Sequence, residues 1–149
     1  MASEVTLFSK SGDWKAEVEA WKNNFLFYKS IGTEVTVYHR EQTKNVWGNT
    51  VTDWVRKAAS SISITNVYRG TGPGAATRSK TCNNTSYCEE KAWAVGVTVT
   101  LPADGVTDLG GGAILDLDSV TGTVSFVVDN EVLRGEVSAS SVISDSSIW

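Results

Sequence analysis

Apolar and polar residues alternate along most of this chain, the spacing of half-buried β-strands with one face inward and one in water. Glu4 to Phe8 is a short run of this kind, ended by Ser9, Lys10, Ser11 and Gly12. Ser61 to Tyr68 is a longer one, with Ile62 and Ile64 set between hydroxyl residues. After Ala92 the chain reads almost wholly as strand and turn. Strands are predicted over 93–101, 113–118, 123–129, 132–138 and 142–149, with breaks at Pro102 to Gly105, Gly110 to Gly112, Ser119 to Gly122 and Asp129–Asn130. Short strands with turn signals roughly every 8–12 residues predict a sandwich or a barrel.

Three stretches fit this pattern less simply. Trp14, Val18, Trp21, Phe25 and Tyr28 form a helical stripe, yet Trp14, Ala16, Val18 and Ala20 also alternate with Lys15, Glu17 and Glu19. Residues 13–22 are therefore strand or short helix, and both readings stand. Residues 24–39 predict a hairpin that turns near Ser30 to Thr33. Residues 40–59 read as a connection, with one or two helical turns over Asp53 to Ala58, and Gly70 to Lys80 as a long loop.

Composition strengthens the β reading. The chain has 19 Val, 16 Thr and 17 Ser against 7 Leu, which favours the pleated surface that β-branched residues pack on. A length of 149 residues suits one domain. The expectation is a single domain over 1–149, mainly β, an antiparallel β-sandwich or Greek-key barrel with at most one or two short helices. Glu4 to Phe8 with Trp14, and Ser60 to Ile64, resemble the opening strand and the serine-serine strand of a βγ-crystallin Greek key. Arg56 to Ala59 stand where that family carries acidic or amide residues, so the resemblance implies no crystallin-type calcium site.

Charge changes the picture of partners. The formal net charge of −4 combines +4 over residues 1–88 with −8 over residues 89–149. Overall acidity, without a basic cluster interleaved with aromatics, argues against nucleic acid. The asymmetry admits head-to-tail association between copies of the chain. No run approaches the roughly 20 apolar residues of a membrane helix, so no transmembrane segment is expected. Met1 to Lys10 has neither a basic n-region nor an apolar h-region, and no secretory signal is expected in the sequence as given.

The candidate chemistry is sparse. Cys82 and Cys88 enclose five residues, a spacing that closes a disulfide more readily than a metal site, and such a bond points to an oxidising or extracellular environment. Asn83 and Asn84 each begin an N-glycosylation acceptor pattern. His39 is the only histidine, and no nucleophile, base and orienting group can be assembled around it, so no enzyme is expected. No metal site is assigned, although Asp104, Asp108, Asp116, Asp118 and Asp129 are oxygen ligands of the type calcium takes. The glycine-rich loop from Gly70 lacks the ending of a phosphate cradle.

The six tryptophans are the best lead. Trp47 and Trp54 lie among Asn45, Asn49, Thr50 and Asp53, where flat apolar faces stand beside amide and carboxylate groups. A sugar ring needs both, and Trp47, Asn49 and Trp54 are the predicted ligand-binding residues of a lectin-like, carbohydrate-binding module. Two alternatives remain open. One is a self-assembling subunit of virion, tube or filament type, joined through strand edges, charge and the terminal Trp149. The other is a membrane-active, pore-forming β protein, from the Ser/Thr/Val alternation over 95–100 and 121–128.

Overall fold

The computed structural model describes residues 2–24, 28–70, 75–95 and 117–139, and the strands expected at 96–101, 113–116 and 142–149, with Trp149, lie outside them. In the described residues, alternation resolves into nine strands: β1 (Ala2–Phe8), β2 (Trp14–Asn24), β3 (Tyr28–Lys44), β4 (Thr50–Arg56), β5 (Ala59–Gly70), β6 (Ala75–Thr85), β7 (Tyr87–Val95), β8 (Leu117–Val128) and β9 (Glu131–Ala139). They make two antiparallel sheets, one of β1-β2-β3-β4 with β7 also paired to β3, the other in the order β6-β5-β8-β9. The sheets pack face to face as a β-sandwich, not a closed barrel.

The inward half of each alternation makes the core. Val18 and Val37 on the larger sheet, with Ile62, Ile64, Val124 and Phe126 on the smaller, are fully buried. Packing is close enough that a Cβ on Gly122 of β8 would collide with the side chains of Thr33 and Asn66. Asp129 and Asn130 turn β8 into β9 with φ of 47° and 62°, the two positive values of a type I′ hairpin. The Trp14 indole N–H donates to Asp129 Oδ2 at 2.7 Å, tying β2 to that turn across the sandwich.

One open reading is decided and several expectations are corrected. Residues 14–24 are strand, because pairing with β1 on one side and β3 on the other buries Trp14, Ala16, Val18 and Ala20 together. Ser30 to Thr33 lie inside β3, paired with Asn23 to Ala20 of β2, and are not the turn of the hairpin. Asp53 to Arg56 belong to β4, not a helical turn, and no helix occurs among the described residues. Most of the predicted loop after Gly70 is β6, where Arg78 and Lys80 occupy the positions on the inward side by register and so disguise the alternation. The break expected at Ser119 to Gly122 is continuous β8.

β3 also carries the chain beyond the sandwich. Its pairing with β2 ends at Trp14 opposite His39, while its pairing with β4 runs on to Lys44 opposite Thr50. Arg40 still donates its N–H to the Asp13 carbonyl at 2.7 Å. Beyond it, residues 41–44 and 50–53 are strand-paired, among the described residues, only with each other, a two-stranded arm that extends past β2 and is closed by Asn45 to Asn49. Further back along the same side of β3 as β4, the turn at Ser86 carries β6 of one sheet into β7 of the other, and the Cys82–Cys88 disulfide spans that crossing.

Candidate functional site

Antiparallel register places residues of neighbouring strands side by side on one face, so the outer surface of the larger sheet can be read row by row. One row is Phe8, Lys15, Tyr38 and Arg56. Trp54, opposite Arg40 in the next row, reaches back over it: its ring centroid is 6.2 Å from that of Phe8, tilted by 60°, and the Lys15 ammonium sits 4.8 Å from the Trp54 centroid and 5.3 Å from that of Tyr38. Phe8 is 55% exposed and Trp54 half-buried. Lys15 also meets Glu17 Oε2 at 3.7 Å. Partial burial, and then the Glu17 carboxylate, raise the Tyr38 phenol above its usual range, so it stays a neutral hydroxyl. The patch thus offers two tilted aromatic surfaces ringed by an ammonium, a carboxylate, a phenol and a guanidinium.

Two rows away stand Glu4, Glu19, Glu34 and Glu89, one from each of β1, β2, β3 and β7, directly opposite one another. Burial, and then the charges of Glu34 and Glu4, hold the Glu19 carboxyl above the ordinary carboxylate range. The Tyr87 hydroxyl lies 2.6 Å from Glu34 Oε2 and 2.8 Å from Glu89 Oε2, and burial together with those acceptors raises its own pKa. Lys91 pairs with Glu89 at 3.5 Å at the end of the row. The row is a line of carboxylates and not a chelating cluster: no grouping of His, Cys, Asp or Glu able to hold a metal occurs among the described residues.

The predicted site residues part company. Trp54 joins the aromatic patch, whereas Trp47 and Asn49 sit at the tip of the arm, about 14 Å or more further along β4 by the rise per residue of a strand. At the tip, the Asn45 side-chain oxygen accepts from the backbone N–H of Trp47 at 2.9 Å and of Asn49 at 3.0 Å. Cys82 and Cys88 form the expected disulfide, consistent with an oxidising environment. Asn83 and Asn84 are exposed beside it. His39 is half-buried, with Nδ1 2.5 Å from Glu41 Oε2 and its ring edge-on to Trp14. Asp104, Asp108 and Asp116 lie outside the described residues, and Asp129 is engaged by Trp14.

Phe8, Lys15 and Tyr38 were not singled out by the sequence. The signal was present in Phe8, a large aromatic on the outward side of a strand whose inward residues are Val5 and Leu7. A buried polar set was also hidden. Asn66 Nδ2 donates to Tyr68 Oη and to the Glu90 carbonyl, both at 2.9 Å, Tyr68 donates to Glu90 Oε1 at 3.1 Å, and Arg78 pairs with the same oxygen at 3.3 Å. Burial and the neighbouring Glu90 charge push the Tyr68 phenol far up, keeping it a donor. These groups meet one another between the sheets, with Asn66 Oδ1 and Arg78 Nε left without a hydrogen-bond partner among the described residues. No protein-family model matches the chain, and no curated protein matches it.

Proposed function

We propose that the protein is a carbohydrate-binding β-sandwich module that takes its glycan on the outer face of the larger sheet, against Trp54 and Phe8. The observation that carries this reading is the pair of outward-facing rings Phe8 and Trp54, the latter over Lys15, bordered by Tyr38, Glu17 and Arg56. A sugar presents C–H faces to an aromatic surface and hydroxyls at its rim, and this patch supplies a partner for each. The 60° tilt between the rings suits a short, curved glycan better than a flat crystalline polymer, which wants coplanar rings.

The test is a glycan array followed by Trp54→Ala and Phe8→Ala. Both rings lie outside the core, so melting should change little while retention of the best glycan falls about tenfold or more, the cost of losing a stacked aromatic face. Retention that survives both substitutions would remove this site. Among the described residues the two charge halves interleave, since β7 joins the sheet of β1 to β4, and β8 and β9 join that of β5 and β6, which gives the glycan reading preference over self-association through opposite charge.

A further inference from the structure

The tip of the β3–β4 arm carries the most exposed apolar side chains among the described residues, Val46 at 91% and Trp47 at 81%. Exposed aromatics at a loop end are ordinary when the loop is floppy, but this one is built. Asn45 N–H donates to the Asn49 carbonyl and Gly48 N–H to the Asn45 carbonyl, both at 3.0 Å. The Asn45 side chain accepts from the N–H groups of Trp47 and Asn49, and Gly48 takes the positive φ of 80° that closes the turn. The fold therefore holds a valine and a tryptophan out in water, at the end of an arm with which, beyond Arg40, no third strand pairs among the described residues.

We propose that this tip is a membrane-surface anchor, with Val46 and Trp47 entering the boundary between lipid headgroups and acyl chains. Three observations favour a bilayer as the occupant. The apex is convex and two side chains wide, far below the roughly 800 Å² per partner of a stable protein interface, whereas a fluid lipid surface closes around a narrow projection. Tryptophan, with an apolar body and one N–H, is the side chain that prefers that boundary. The charge pattern also sets a depth. From Gln42 to Thr52 the only charged residue is Lys44, a cation, and the first acids, Glu41 and Asp53, stand opposite each other in the ribbon. Three residues of strand separate that acidic pair from the turn, about 10 Å, which matches the depth an interfacial element occupies.

The site is independent of the glycan patch, and its test uses vesicles of phosphatidylcholine alone, without glycolipid, so the two readings fail separately. The full chain is floated with vesicles at millimolar lipid, since one shallow anchor binds weakly and reversibly. Tryptophan emission is then recorded with lipids brominated along the acyl chain. Wild type should float and be quenched. Trp47→Ala should cut flotation about tenfold and remove most of the quenching, Val46→Asp should do nearly the same, and Trp54→Ala should leave both unchanged. Circular dichroism should be unaltered in each, because neither tip side chain is packed in the core. Adding phosphatidylserine should strengthen binding modestly in wild type and less in Lys44→Ala. Failure of wild type to float, or a Trp47→Ala protein that floats and is quenched like wild type, would overturn the proposal.

Discussion

On the outer face of the larger sheet, nearby rows carry aromatic rings with cations and a line of four glutamates; on the outer face of the smaller sheet the same kind of positions carry hydroxyls. Two of its rows are Ser79, Thr65, Thr123 and Glu136, then Thr81, Ser63, Ser125 and Arg134, and in these two rows the charges are on β9. Thr65 bonds Ser79 and Ser63 bonds Thr81, each at 3.1 Å. Cross-strand hydroxyl pairs stabilise a sheet, and like charges directly opposite destabilise it, each by about 0.2–1 kcal/mol. One face is thus composed for stability, and the other accepts a cost. Because alternation constrains only the inward residues, the outward half of each strand is free to differ, and it is the costly face that also holds the exposed rings.

The seam between the two sheets is the place where the comparison is broken most forcefully. At Ser86 the chain passes from one sheet to the other, and Cys82–Cys88 closes that passage into a short loop. Cys82→Ser together with Cys88→Ser should lower the unfolding free energy by about 2–3 kcal/mol, the chain-entropy value for so short a loop, read from urea unfolding. A loss below about 1 kcal/mol would mean that core packing alone keeps the sheets in register.

The glutamate row gives the next effect, and its sign is set by Glu19. Its folded-state pKa lies above the ordinary value of 4.5, so the folded protein holds that proton more tightly than the unfolded chain does. The resulting stability is fully present below about pH 4.5 and is lost as pH rises through the raised folded value. Glu19→Gln removes the titration and two repulsions, so it should raise stability at pH 7 by about 0.5 kcal/mol and melting by roughly 1–2 °C. The gap between variant and wild type should close as the pH falls toward about 4. A gap that is the same at both ends of that range would show that the row does not repel.

Much of the fold was legible because burial obeys period 2. Val5 and Leu7, Ile62 and Ile64, and Leu133 and Val137 all point inward as their spacing predicts. The errors fall where the inward positions are polar or tertiary contacts override local signals. β6 looked like a loop because Arg78 and Lys80 stand where apolar residues were sought, and Arg78 is accepted inside only through its pairing with Glu90 from another strand. Ser30 to Thr33 looked like a turn, yet Gly32 is there because Lys91 and Glu90 of β7 approach too closely for a Cβ. The candidate site was half legible for the same reason. Trp54 was found from composition, but its neighbours Phe8 and Lys15 come from strands whose order in the sheet no local pattern encodes.

The smallest effect expected is also the sharpest check on the hydroxyl face. Thr65→Val removes one partner of the Thr65–Ser79 bond on a solvent-facing surface, where water replaces the lost contact of Ser79. Valine keeps the β-branch and fits the pleat as well as threonine, so the backbone cost is near zero. Stability should therefore stay within about 0.5 kcal/mol of wild type, with glycan retention and vesicle flotation both unchanged. A face that serves only the scaffold tolerates this exchange. If Thr65→Val instead abolished ligand retention while the melting curve held, the working surface of the molecule would be the hydroxyl sheet, and the assignment of roles to the two faces would be reversed.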